Sequence, residues 1–177
     1  WHCGQYPGFV AYLLEDGSIL RPCTYPGGAF FGGALGGRIQ KYDAAGTRTW
    51  DYVFADYQRA QHHDVSLLPN GNVLLIAWER KTSQEALAAG RVVTTGEFWP
   101  TAIYEVQPSG PTGGVVVWEW HLWNHLIQDV DPSKQNYGVV GDHPELVDIN
   151  LRGGSSMGGG DWDHANAIDY NPELDQI

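Results

Sequence analysis

Val65, Leu67 and Leu68 lead into Pro69-Asn70-Gly71-Asn72, and an apolar run follows from Val73 to Trp78. A half-apolar segment, an Asn-Gly turn that tolerates positive φ and a second run rich in strand formers together predict a β-hairpin. The same pattern recurs. Val10 to Leu14, Glu15-Asp16-Gly17-Ser18 and Ile19-Leu20 form an earlier copy, and Ile168 to Tyr170, Asn171-Pro172-Glu173 and Leu174 to Ile177 begin a later one. Between them, Arg38 to Tyr42, Asp43 to Gly46 and Thr47 to Tyr52 read as a hairpin that ends in Trp50-Asp51-Tyr52. Ala102 to Val106, a Pro/Gly-rich stretch from Pro108 to Gly114, and Val115 to Trp120 read as another, ending in Trp118-Glu119-Trp120.

Each unit is thus two hairpins that close on an aromatic strand, with closing tryptophans at Trp1, Trp50 and Trp118. Four antiparallel strands repeated at roughly 40 to 50 residues is the pattern of a β-propeller blade. The fold class expected is therefore all-β, a β-propeller of which this chain covers about two to three blades; an open β-sandwich is the alternative. Helix is scarce. Thr82 to Gly90 carries a capping residue, good helix formers and a terminating Gly, and His121 to Asp129 reads as a second short helix. The chain starts with Trp1 and stops within an expected strand, so residues 1–177 read as one propeller domain, incomplete at both ends. Its missing blades would come from the rest of the protein or from another chain.

Eight Trp, nine Tyr and twenty-three Gly suit strands that pack with large rings and turn tightly. No apolar run is long enough to span a membrane. The net charge of −11 excludes nucleic acid and anionic lipid surfaces as partners, since both demand a positive field. Any anion site must then be local, built from His, Arg, Asn and backbone N–H groups. Two cysteines, Cys3 and Cys23, stand close enough in sequence to staple the first hairpin to the strand before it; a disulfide and two buried thiols both fit. An extracytoplasmic location (periplasmic, secreted or cell surface) is the expectation that suits this composition.

Seven histidines are present, and they cluster. His62 and His63 adjoin Asp64, His121 and His125 flank Leu122-Trp123-Asn124, His143 follows Asp142, and His164 lies in Asp161-Trp162-Asp163-His164-Ala165-Asn166. His63 and His164 each stand just before the first hairpin of a unit. Blade symmetry would bring both to the same end of the central channel. Asp64 or Asp163 stands beside one of these histidines, but neighbouring side chains on a strand point to opposite faces, so the reading does not pair them.

Three segments together resemble the bacterial arylsulfate sulfotransferases: Gln61 to Thr82, with His-Asp before Leu-Pro-Asn-Gly-Asn; Trp118 to Gly138; and Asp161 to Ile177, with Asp-Trp-x-His-x-Asn before a hairpin. The resemblance implies a six-bladed propeller that moves a sulfuryl group from an aryl sulfate to a phenol, with no cofactor and no nucleotide sulfate donor. It implies that His63 lines the channel and that His164 and Asn166 contact the transferred group, the three forming the catalytic set; His62, beside His63, is a separate candidate substrate contact. It also implies a nucleophilic histidine and an arginine that lie outside these 177 residues. A sulfohistidine would split the transfer into two displacements, and a second histidine would protonate the departing phenolate.

Other patterns carry less chemistry. His121 and His125 at helical spacing lack the Glu of a zinc-protease helix, and Asp129-Val130-Asp131 opens like a calcium loop but has Lys134 where that loop needs Gly, so no metal site is expected. Gly153 to Gly160 lacks the Gly-Lys-Ser/Thr ending of a phosphate cradle and reads as a loop. A non-catalytic secreted or surface propeller that binds ligands or partners is the rival function, because fold does not dictate activity.

Overall fold

The expected hairpins pair in chain order to give two antiparallel four-stranded sheets. A computed structural model describes residues 4–32, 35–94, 96–151 and 160–177. The first sheet joins β1 (Tyr12–Leu13), β2 (Ile19–Thr24), β3 (Gly37–Tyr42) and β4 (Arg48–Val53), each strand beside its sequence neighbour. The second joins β5 (Arg59–Leu67), β6 (Val73–Glu79), β7 (Thr101–Ser109) and β8 (Gly113–His121) in the same order. Among the described residues the fold is therefore all-β with a single short α-helix. No helix is long and apolar enough to cross a membrane among these residues.

The turns follow from side chains that mimic backbone. Asn70 Oδ1 accepts the N–H of Asn72 at 2.9 Å, and Gly71 takes φ 84°, which a residue with a Cβ rarely adopts. Asp43 Oδ1 accepts the N–H of Thr47 at 2.7 Å and closes the β3–β4 turn in a similar way. The connection between β7 and β8 is tighter than the Pro/Gly content suggests, since the ladder continues to Ser109 opposite Gly113.

The two sheets pack face to face. Leu20, Ile39, Trp50 and Phe54 from the first meet Val65, Val73, Leu75, Ala102, Tyr104 and Val106 from the second in one buried core. Trp50 sits between the sheets, 4% exposed, and donates its indole N–H to Gly113 O at 2.9 Å. Trp118 does not follow this pattern. It is 41% exposed on β8, whereas Trp120 stacks on His125 with ring centroids 4.7 Å apart. β6 is buried along almost its whole length because both its faces are covered: Val73, Leu75 and Ala77 face the first sheet, and Leu74 and Ile76 pack with Leu68 and Ile168 on the other side.

α1 (Ser83–Ala88) forms as its sequence predicts. Thr82 and Glu85 make a reciprocal capping box, and Gly90 follows at φ 95°. The expected helix from His121 to Asp129 does not form. Leu122–Asn124 is one 3₁₀ turn, after which β9 (Leu126–Ile127) pairs in parallel with β10 (Val147–Asp148). Burial of Leu122 and Leu126 against Ala86, Phe98, Ile149 and Trp162 overrides the local helical spacing. The hairpin after Ile168 is reduced to one antiparallel bridge, Asn171 to Gln176. Trp1, Cys3 and Gly153 to Gly159 lie outside the described residues, so the closing strand at Trp1 and the Cys3–Cys23 bond do too.

Candidate functional site

The histidine cluster sits on a break in the β5 ladder. Gln61 pairs with Ala77 and Val65 with Leu75, so His62, His63 and Asp64 stand opposite the single residue Ile76. Such a bulge frees side chains from strict alternation, and His63 takes φ 49° within it. As a result His62 and His63 do not point to opposite faces. Their Nδ1 atoms lie 2.8 Å apart.

His62 is fully buried and stacks on Trp78 of β6 with ring centroids 4.3 Å apart and an interplanar angle of 17°. Desolvation, followed by the neighbouring His63 and His164, holds its pKa well below the usual histidine range, so it is neutral. Its Nε2 has no hydrogen-bond partner among the described residues. His63 is partly exposed; burial and His164 lower its pKa, and Asp161 and Asp64 oppose the shift.

His164 comes from the segment that meets the second sheet through a parallel bridge between Asp161 and Trp99. Its ring meets that of His63 edge to face, with centroids 4.7 Å apart and an interplanar angle of 86°. The three residues before His164 are each anchored. Asp161 hydrogen-bonds His164 Nδ1 through Oδ2 and the Trp78 indole N–H through Oδ1, the latter at 3.1 Å. Trp162 donates to Leu151 O at 2.9 Å from within the cluster around Phe98. Asp163 accepts the N–H of Thr101 at 3.0 Å, and burial raises its pKa against the pull of that bond.

Asp64 serves the frame. It accepts the Tyr12 hydroxyl at 2.6 Å and the Val65 N–H at 2.8 Å through Oδ1, and the Ile168 N–H at 3.1 Å through Oδ2. Burial first, then Asp64, pushes the Tyr12 phenol up to about 12. One carboxylate thereby ties together β1, β5 and the segment that carries His164.

A family model described as Arylsulfotransferase (ASST) matches residues 23–177, which include the whole of this cluster. The chain belongs to the arylsulfotransferase family. No curated protein and no solved structure matches it.

Within this arylsulfotransferase-family chain the expected site residues are placed unevenly. His63 and His164 come together. Asn166, two residues beyond His164, is exposed, and its side chain makes no hydrogen bond among the described residues. His62, expected as a substrate contact, has no exposed surface to offer a ligand and reaches the site through His63. A groove of about 670 Å³ beside the cluster is lined by Tyr12, Leu13, Ser66 and Ile168, but also by Asp64 and Asp169, whose carboxylates repel an anion.

Sequence reasoning overlooked Asp161 as a partner of His164, although a separation of three residues lets a turn fold one onto the other. It also overlooked Trp78, which stacks on His62 and reaches His164 through Asp161 by long-range packing, and Phe9, whose ring lies 5.7 Å from His63. No group of three metal-ligating side chains occurs among the described residues. His121 Nδ1 meets Glu79 at 3.1 Å, while His125 turns back to the His121 carbonyl at 3.0 Å, so the two do not share a ligand.

Proposed function

We propose that the protein transfers a sulfuryl group from an aryl sulfate to a phenolic acceptor, with His63, His164 and Asn166 as the part of the catalytic set carried by these residues. The observation that carries this reading is the edge-to-face approach of His63 and His164 within the family-matched region, although the two lie in distant segments of the chain. The two face-to-face meanders support their assignment as successive blades of a six-bladed propeller, with both histidines at one end of its channel. On this reading the protein is extracytoplasmic, uses no cofactor, and takes its nucleophilic histidine from outside these residues.

The residue types suit the chemistry. In each displacement the bond from sulfur to the departing oxygen or nitrogen breaks as the bond to the incoming atom forms, and the three remaining sulfuryl oxygens carry the charge. N–H donors from Asn166 and an imidazole stabilise them locally, which a chain of net charge −11 requires. An imidazole within proton-transfer reach protonates the departing phenolate oxygen in the first step and removes the O–H proton of the acceptor in the second. Histidine performs both near neutrality.

The test is transfer from 4-nitrophenyl sulfate to a phenol by the purified intact protein, which on this reading supplies the nucleophilic histidine that residues 1–177 alone do not. The reading requires release of nitrophenolate that depends on the acceptor, formation of the sulfated acceptor, and loss of at least about 10²-fold in turnover in His164→Ala. Folded protein with no acceptor-dependent release, or His164→Ala as active as the unmutated protein, overturns it in favour of a non-catalytic binding propeller.

A further inference from the structure

Asp161 holds two side chains from distant parts of the fold. Oδ1 accepts the N–H of Trp78 on the central strand β6, and Oδ2 bonds Nδ1 of His164. The carboxylate is itself well fixed. Its side chain is 5% exposed, Trp99 bridges to Asp161 in parallel fashion, and Trp99 N–H donates to Gly160 O at 2.7 Å. Trp78 is 1% exposed and clamped on its other face by His62.

We infer that Asp161 is the positioning residue for His164: it fixes the imidazole as the Nδ1–H tautomer and leaves Nε2 bare for the phenolic proton, while Trp78 fixes Asp161. A carboxylate only accepts hydrogen bonds and an indole N–H only donates them, so His164 must present N–H to Oδ2. Nε2, on the 32% exposed side chain, then takes the acceptor's O–H proton, and the resulting imidazolium keeps its Nδ1–H on the carboxylate. In the other half-reaction the same Nε2 returns a proton to the departing phenolate oxygen. The role in catalysis rests on the sulfuryl-transfer reading above; the tautomer does not.

Asp161→Asn separates positioning from mere packing. The Trp78 indole still demands an acceptor and takes Asn Oδ1, which turns the Asn NH₂ toward His164 and forces the Nε2–H tautomer. Imidazole ¹⁵N shifts in histidine-labelled protein, with the His164 signals assigned by their loss in His164→Ala, read this directly. The expected result is Nδ1–H in the unmutated protein, inversion in Asp161→Asn, and a fall in kcat of at least about 10²-fold with KM little changed. Trp78→Phe in the Asp161→Asn background removes the competing donor, lets the amide turn, and should restore both the tautomer and part of kcat. Trp78→Phe alone keeps the carboxylate and should keep Nδ1–H, so that variant carries the test if Asp161→Asn does not fold.

Retention of Nδ1–H in Asp161→Asn, its loss in Trp78→Phe, or inversion without a fall in kcat overturns the inference. A protein that turns over no aryl sulfate yet shows the tautomer inversion refutes the sulfotransferase reading and leaves the positioning of His164 by Asp161 standing.

Discussion

His62 and His63 join Nδ1 to Nδ1 at 2.8 Å, so one ring donates and the other accepts, and the tautomer of the buried ring dictates that of its neighbour. Protonating both would set two N–H groups against each other. The bond and the burial of His62 therefore favour a neutral pair.

That neutrality makes stability depend on pH. The pKa values of both histidines are depressed in the folded protein, whereas in the unfolded chain they titrate near about 6.5. Above that pH neither state binds the proton and stability is undiminished. As pH falls below it the unfolded chain takes up protons first, and stability declines until the folded histidines also titrate. His62 should contribute a slope of up to about 1.4 kcal/mol per pH unit, and the more exposed His63 less. Urea unfolding at pH 7.5 and 5.5 should show the decline, and His62→Gln should flatten it; equal slopes in both proteins would rule out His62 as the source.

Asp64→Asn should cost about 1–3 kcal/mol. All three partners of the carboxylate are donors, so an amide NH₂ must face one of them. Hydrogen exchange at the Ile168 amide is the sensitive readout, since that bond fastens the His164 segment to β5. Unchanged protection there would show that the segment is held by its apolar contacts instead.

Gly36→Ala should destabilise by about 1–3 kcal/mol through overpacking. A Cβ at that position would lie 1.9 Å from Gln61 Oε1, which is buried and already accepts the Gly37 N–H at 2.9 Å. Gly71→Ala provides the contrast, because its Cβ meets nothing within 4 Å and only the φ of 84° resists it. A smaller midpoint shift for Gly36→Ala than for Gly71→Ala would show that Gln61 moves aside freely.

Asn166→Ala should divide activity from stability. The side chain is exposed and without a hydrogen bond among the described residues, so thermal unfolding should move by no more than about 0.5 kcal/mol. If Asn166 steadies sulfuryl oxygens mainly in the transition state, turnover of an aryl sulfate should drop by about 10²- to 10³-fold with little change in donor affinity. A change confined to affinity would assign Asn166 to ground-state binding alone.

Much of the frame was legible because local chemistry decides it. Asn70-Gly71 and Asp43 to Gly46 close their turns with their own side chains, and Thr82 with Glu85 starts α1, so nothing distant is needed to place them. His121 to Asp129 misled for the opposite reason. The spacing suits a helix, but Leu122 and Leu126 are claimed by a cluster that includes Ile149 and Trp162. The site was half legible. Repetition pointed to His63 and His164 as a pair, while Trp78 and Asp161 became partners only through packing across the second sheet. Reading β5 as a regular strand also hid the contact between His62 and His63, which exists because the strand is interrupted.

The arithmetic of that interruption has a wider meaning. Between its paired residues β5 advances by four positions while β6 advances by two, and since both steps are even, inside stays inside. Gln61 reaches Gly37 of the first sheet, and Val65 beyond the excursion packs into the same core. A detour of two extra residues is silent to the parity of the strand, whereas a detour of one would turn every following core residue to the opposite face. The detour at His62, His63 and Asp64 thus lifts three polar side chains out of the ladder while every core residue on either side of it keeps its face.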